Sequence, residues 1–281
     1  MDTPETARRI AALVALKPAE LAKSRFDTVA APLRRRLAWT MAVDTLAALA
    51  GAVEEIMVVS DQPSLESRLM RCGIRVRVLP ESHRTGMNGA LDHGAEALSA
   101  DGYSSVLACV GDLPALTSDS VRRVLTASLE HRRSFLADAS GTGTTMMIAH
   151  EVPLEPHFQG RSAAAHHQSG AVALTDSALG ASVSDARRDV DTEVDLADAF
   201  GLGLGAATAQ VVDPGTGQLG HYTVITVAEP IPASPERRAI TADGIRVRLP
   251  PGSVERARPA THTGQQLHAV LAGDAVLAAW R

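Results

Sequence analysis

The sequence predicts an α/β fold, a mostly parallel sheet with helices on both faces, followed by a small all-β, barrel-like module. Three observations carry this. Strand-like and helix-like patterns alternate from Ile10 to Ala149. The glycine-rich stretch Gly201-Leu202-Gly203-Leu204-Gly205 then marks a hinge or linker. Beyond it, short apolar runs are separated by turn residues. Alternating β and α segments build parallel sheets, because a crossover helix joins parallel strands. Closely spaced short strands build barrels or sandwiches. Two domains are therefore expected, 1–205 and 206–281, the second of unknown role.

Ile10–Leu16 reads as the first strand. Leu33–Ala50 is helical, with apolar positions at Leu33, Leu37, Met41, Leu46 and Leu49. Glu55–Val59 is a short β-branched strand. Leu65–Cys72 is a helix stopped by Gly73, and Ile74–Leu79 a further strand. Asn88–Ser99 is Ala-rich and helical. Val106–Val110 is a buried strand, and Ser118–Glu130 a helix with Ser118 and Asp119 as N-cap candidates. Phe135–Ala137 and Thr144–Ala149 are strand-like. A helix is expected at Asp195–Phe200. In the tail, Ala209–Val212, Tyr222–Val227, Ile245–Leu249, Gln266–Leu271 and Ala275–Trp280 read as strands of an OB-like barrel.

Composition narrows the function classes. Of 281 residues, 45% are hydrophobic and 21% charged, the balance of a soluble globular chain. A net charge of −5 argues against a generic nucleic-acid or acidic-membrane surface. Cys72 and Cys109 form no metal-ligand pattern and sit in apolar contexts, so both are expected as buried free thiols. No transmembrane segment is visible. The apolar run Ile10–Leu16 is too short to span a bilayer and lacks a signal peptide's cleavage region. It reads as the first strand of a cytoplasmic protein.

The chemistry concentrates in five places. The strand Val106–Val110 ends in Gly111-Asp112-Leu113-Pro114, which presents a carboxylate at the carboxyl end of a strand, where open α/β sheets bind ligands. Asp112 there suits Mg²⁺, which takes one or two carboxylates plus phosphate oxygens; capping of the next helix is an equal reading for this residue alone. Lys17-Pro18-Ala19-Glu20-Leu21-Ala22-Lys23-Ser24-Arg25 places three cations on a strand-to-helix loop. It is either a phosphate-wrapping loop or a solvated basic one, and it is not a Walker A loop. Asn88 opens a helix, where its amide caps the helix or contacts a nucleotide. Gly141-Thr142-Gly143-Thr144-Thr145 offers N–H groups and hydroxyls to an anion, or is a plain hairpin turn. Ser162 in Phe158-Gln159-Gly160-Arg161-Ser162 reads as a helix N-cap suited to a carboxylate or phosphate. His166 and His167 behind it are adjacent and point to different helix faces, which disfavours a shared metal. In Asp189-Val190-Asp191-Thr192, the two carboxylates of an extended segment point the same way. Facing Asp112 they would make a divalent-metal site; otherwise they form a solvated acidic turn.

In this order, the basic first loop, the GDLPAL strand end, the GTGTT turn, the F-x-x-x-S helix start and the DVDT segment are a specific set. The chain resembles the 2-phospholactate guanylyltransferase family of deazaflavin (coenzyme F-420) biosynthesis, whose bacterial members are described as phosphoenolpyruvate guanylyltransferases. The resemblance covers residues 9–200. It implies a nucleotidyltransferase fold of the nucleotide-diphospho-sugar-transferase type, a Rossmann-like three-layer α/β/α sandwich. It implies GTP-phosphate contacts from Lys17, Lys23 and Arg25, with Pro18 and Ser24 in the same loop, and a nucleotide contact from Asn88. It implies metal carboxylates at Asp112, Asp189 and Asp191, with Asp112 and Lys23 catalytic. Phospho-acid contacts fall on Thr144, Gln159, Gly160 and Ser162. The chain departs from the family at Gln159, where the family has Gly, so a side chain there would crowd the acid pocket; a milder change is Gly89 in place of Ala.

The implied reaction joins GTP to phosphoenolpyruvate or 2-phospho-L-lactate with loss of pyrophosphate, in the presence of Mg²⁺. The incoming phosphate is already ionised, so no protein nucleophile is required, and none of the Ser-His-Asp or Cys-His arrangements is present. The expected partners are these small molecules and, transiently, the next enzyme of the pathway, with no nucleic acid and no membrane. Other acceptors such as 3-phosphoglycerate remain open, as does a non-catalytic nucleotide- or partner-binding paralogue. A sugar-phosphate or molybdopterin nucleotidyltransferase is disfavoured by the absence of a Gly-rich first loop. The tail is faintly similar to a cold-shock barrel, yet Tyr222 and Trp280 are its only aromatics, so a structural or docking role fits better than base stacking.

Overall fold

The computed structural model describes residues 9–17, 26, 29, 31–81, 86–212, 219, 221–230, 237–242, 244–249, 262–272 and 275–280. The chain divides into two compact units, Met1–Pro18 with Met41–Val190, and Ala19–Thr40 with Asp191–Arg281.

The first unit holds a seven-stranded sheet. In chain order its elements are β1 (Ile10–Ala15), α1 (Ala31–Ala50, through which the division into units passes), β2 (Glu55–Val59), α2 (Leu65–Arg71), β3 (Arg77–Leu79), α3 (Gly86–Ala100), β4 (Ser105–Cys109), α4 (Ser118–Ser128), β5 (Arg133–Ala137), β6 (Thr144–His150), α5 (Ser162–Gln168), β7 (Val172–Ala173), α6 (Asp176–Leu179) and α7 (Ser184–Arg187). The strand order is β3-β2-β1-β4-β6-β5-β7. β1 is an interior strand, parallel to both neighbours, with Leu13 opposite Met57 on β2 and Ala108 on β4. The order runs outward from β1 to β2 and β3 on one side, and to β4 on the other. The crevice between the carboxyl ends of β1 and β4 is thus the topological switch point where such sheets bind ligands.

Alternate residues of a strand face opposite sides. Ala11, Leu13, Met57, Val59, Val106, Ala108, Phe135 and Met147 form one apolar layer with Ala90, Leu91 and Leu98 of α3. The intervening residues Ala12, Val14, Ile56, Val58, Leu107 and Cys109 are equally buried. Both faces are therefore covered, as parallel sheets require. Gly94 lets α3 lie close on this layer: a Cβ there would stand 2.4 Å from Leu13 Cδ1.

The structure departs from the sequence reading in several details. β6 is antiparallel to β4 and β5, a direction that hydrophobic periodicity does not encode. The N-cap of α4 is Thr117, whose side chain accepts from the Ser120 N–H, rather than Ser118 or Asp119. Residues 74–76 do not join β3, because pairing with β2 begins only at Arg77. Cys72 is exposed, and only Cys109 is a buried thiol.

The second unit contains α8 (Glu193–Leu202), α9 (Ala206–Ala209), β8 (His221–Pro230), β9 (Arg237–Thr241), β10 (Arg246–Leu249), β11 (Gln266–Ala272) and β12 (Ala275–Trp280). The five strands close into a barrel in the order β10-β12-β11-β8-β9. β11 returns to lie antiparallel beside β8, the Greek-key connection of an OB-like barrel. Its interior is filled by Ile225, Val227, Ala239, Val247, Leu249, Leu267, Ala269, Leu271, Val276 and Ala279. The strand expected at Ala209–Val212 is instead the end of α9 and a turn, with Val212 making only an isolated bridge to Leu219. The fifth barrel strand is β9. α8 begins at Glu193 rather than Asp195, since Thr192 is its N-cap and Asp195 closes a capping box.

Candidate functional site

The turn after β4 is held from three sides. Val110 N–H donates to the Thr145 carbonyl (2.9 Å). Leu113 N–H donates to Thr45 Oγ1 (3.0 Å), and Thr45 itself donates to Met41 O (2.9 Å) on the buried face of α1. Gly111 allows the exits of β4 and β1 to touch: a Cβ at this position would lie 2.5 Å from Leu16 Cδ2. Asp112 is therefore displayed, half-exposed, at the switch point, beside the β1 exit that leads to exposed Lys17. Its charge, after burial, helps push the Cys109 thiol far above its ordinary range, so that buried sulfur stays protonated.

Asp189 is brought to the same turn. Val190 N–H donates to the Asp112 carbonyl (3.1 Å), and Val190 is fully buried. The approach of this segment is set by Arg187, which donates to the carbonyls of Ala137 (3.0 Å) and Leu174 (2.9 Å) and pairs with Asp176 (3.0 Å). Asp191, half-exposed, donates its N–H to the Asp195 carboxylate (3.2 Å). Among the described residues no three Asp, Glu, His or Cys side chains gather where one ion could be held by all. Mg²⁺ needs no such cage, since one or two carboxylates and substrate phosphate oxygens complete its shell. Asp112 and Asp189, whose backbones meet at this turn, are residue types that fit that requirement.

Elsewhere the polar groups are mutually engaged. In the β5–β6 turn, the N–H groups of Thr142 and Gly143 donate to the Asp138 carboxylate (3.0 and 2.9 Å), which also accepts from Ser140 (2.9 Å). The turn thus satisfies its own amides around Asp138. Thr144, the first residue of β6, is buried, with Oγ1 2.9 Å from His166 Nδ1. Asn88 is the third residue of α3 and not its cap. Its amide spans Phe158, accepting from the backbone N–H (2.8 Å) and donating to the carbonyl (3.0 Å). Gln159 and Gly160 both adopt positive φ, 90° and 58°, on the exposed turn before α5. Ser162 is buried as the first helical residue of α5, with Arg161 at the N-cap position. Ala163 N–H already donates to Thr142 O (3.1 Å), which joins this turn to the β5–β6 turn.

Lys23 and Arg25, with Pro18 and Ser24, lie outside the described residues. Three residues whose side chains hold these turns were not legible in the sequence: Thr45, Arg187 and His166. Thr45 and Arg187 carry no sequence signal, because their partners are far away in the chain. His166 was visible only as half of an unpromising histidine pair.

Residues 27–181 match the family model of the MobA-like NTP transferase domain. The chain is 43% identical over 219 residues to a phosphoenolpyruvate guanylyltransferase of Streptomyces scabiei, covering 72% of this chain and 97% of that one. It is 41% identical over 198 residues to that of Thermomonospora curvata, covering 69% and 84%. A third, from Frankia casuarinae, is 36% identical over 265 residues and covers 85% of this chain and 86% of that one. The 85% of this chain covered there exceeds what residues 1–205 supply, so the match runs on past residue 205. Among solved structures, a nucleotide-diphospho-sugar transferase from Desulfovibrio desulfuricans G20 shares the fold, with a TM-score of 0.55 at 13% identity over 71% of this chain and 92% of that one.

Proposed function

The chain belongs to the phosphoenolpyruvate guanylyltransferase family of MobA-like NTP transferases, and we propose that it joins GTP to phosphoenolpyruvate with release of pyrophosphate, in the cytoplasm, as a step of deazaflavin coenzyme biosynthesis. The observation that supports the reading is that the Val190–Asp112 backbone bond (3.1 Å) brings the segment carrying Asp189 to the turn carrying Asp112 at the sheet's switch point. One or two carboxylates beside the exits of β1 and β4 are what a metal-bridged nucleotide phosphate requires there.

In the proposed reaction a phosphate oxygen of phosphoenolpyruvate attacks the α-phosphorus of GTP in line. The bond from that phosphorus to the bridging oxygen breaks, and pyrophosphate leaves. Both substrates are polyanions, so the work of the site is to bring them together and to offset developing charge. Mg²⁺, when bound by Asp112 and Asp189, with Asp191 next but one along the chain, supplies Lewis-acid neutralisation of the transferring phosphate. Lys17, Lys23 and Arg25 contribute positive charge to the triphosphate. The Asn88 amide keeps one N–H and one lone pair beyond Phe158 for the nucleotide. Thr144, Ser162 and the Gln159-Gly160 turn receive the acid. A transient hand-over of the product to the next enzyme completes the proposal.

The test is pyrophosphate release with GTP, Mg²⁺ and, in turn, phosphoenolpyruvate, 2-phospholactate and 3-phosphoglycerate, with ATP as nucleotide control and the next enzyme as a trap. Turnover with GTP and phosphoenolpyruvate is expected. Turnover with a different acid would reassign the acceptor, and GTP binding without any turnover would favour a non-catalytic role.

A further inference from the structure

We propose that His166 is a positioning residue for the acid side of the site. Its neutral ring, protonated on Nδ1, ties the Thr144 hydroxyl to the 157–162 turn and directs the Thr144 proton outward, to an anionic oxygen of the phospho-acid. The inference rests on the reading above that Thr144 and this turn receive the acid.

The tautomer follows from the donors around the ring. His157 N–H donates to His166 Nε2 at 2.8 Å. A backbone N–H only donates, so Nε2 carries a lone pair and the single proton of the neutral ring sits on Nδ1. Nδ1 lies 2.9 Å from Thr144 Oγ1. Nδ1 therefore donates and Oγ1 accepts. The threonine hydroxyl keeps its own proton, and among the described residues Oγ1 has no other hydrogen-bond partner. A buried hydroxyl proton with no acceptor is costly, and an incoming carboxylate or phosphate oxygen supplies one.

The ring itself is immobilised. His166 is fully buried. Phe158 meets it edge-on, with centroids 5.2 Å apart, and Phe135 packs against it at 5.7 Å. Phe158 is fixed in turn by both arms of Asn88 (2.8 and 3.0 Å). Ser162 lies one helical turn before His166 on α5, so the two share a face. Burial and then the neighbouring charge of His157 keep the ring neutral, with a pKa of about 4, against a smaller opposing pull from the Ser162 backbone. A second proton would set Nε2–H against His157 N–H and open the clamp.

Two substitutions separate the arms. His166→Asn keeps a donor near Nδ1, toward Thr144. His166→Gln keeps an acceptor near Nε2, toward His157, and loses the donor. KM for phosphoenolpyruvate and for GTP is read by pyrophosphate release, beside the melting temperature of each variant. The Gln variant is expected to raise KM for the acid about ten-fold with KM for GTP little changed, and the Asn variant to recover part of that loss. Independently of turnover, ¹⁵N-histidine NMR of the unsubstituted protein is expected to show the Nδ1–H tautomer, with its signal moving on addition of phosphoenolpyruvate. An Nε2–H tautomer, a signal indifferent to phosphoenolpyruvate, or both KM values rising together in step with lost melting temperature would overturn the proposal. If the unsubstituted protein turns over no acid, the guanylyltransferase reading fails, while the tautomer still reports on the clamp.

Discussion

At the end of β4, Asp112 stands on a turn held by backbone bonds and a single threonine, and Val190, next after Asp189, joins it through one further backbone bond of 3.1 Å. At the start of β6, by contrast, the Thr144 hydroxyl is buried and bound through His166 to a turn that Asn88 also grips by both backbone groups of Phe158. The first region displays charge on half-exposed carboxylates. The second fixes neutral donors in a packed setting. Triphosphate and metal are recognised chiefly by charge, which tolerates small displacements. A small acid is recognised by the placement of a few donors, which does not. On the proposed assignment of the two regions, the buttressing lies where geometry matters most.

This contrast can be broken most sharply at Asp112. Asp112→Asn keeps the size of the side chain and removes its charge. Turnover is expected to fall by at least about 10²-fold, while stability changes by less than about 0.5 kcal/mol. Comparable losses of activity and stability would mean that Asp112 holds the turn rather than the metal.

The region around Thr144 and His166 should instead reveal itself in stability against pH. His166 has a folded pKa of about 4, lowered from 6.5 chiefly by burial and then by the neighbouring charge of His157. Between those values the unfolded chain takes up a proton that the folded chain refuses. This stabilisation is complete above pH 6.5 and is lost as pH falls toward 4, a change on the order of 3 kcal/mol. Chemical denaturation of the protein and of His166→Gln across that range gives the difference directly. Parallel curves would show that the ring is not kept neutral by the fold.

The smallest effect belongs to Gln159, which holds φ of 90° without being glycine. Gln159→Gly should gain about 1 kcal/mol in stability by relieving that conformation. A loss would show that the glutamine side chain makes compensating contacts. A lower KM for the acid in the same variant would show that the side chain narrows the pocket.

The two units also differ in how legible they were. In the sheet, apolar strands such as Ala11–Val14 end at loops with charged residues, and the alternation with helices announces the parallel core. The direction of β6 was hidden, because a run such as Met146–Ala149 reads the same in either sense. In the barrel, β9 went unread because its inward residue, Ala239, is small while Arg238 and Ile240 on the same strand are exposed. The residues at Ala209–Val212 look β-like, yet a short helix absorbs the first of them. The place of Asp112 just past a strand end could be read from the sequence. His166 could not, since its meaning lies in Thr144 and His157, which only the folded chain brings to its two nitrogens.

The division of labour between the two regions is tested most directly by full substrate-dependence kinetics of Thr144→Val beside Asp112→Asn, varying GTP and phosphoenolpyruvate in turn. The account predicts that Thr144→Val raises KM for phosphoenolpyruvate about ten-fold and leaves KM for GTP unchanged, whereas Asp112→Asn lowers kcat. Equal effects of Thr144→Val on both substrates would contradict it.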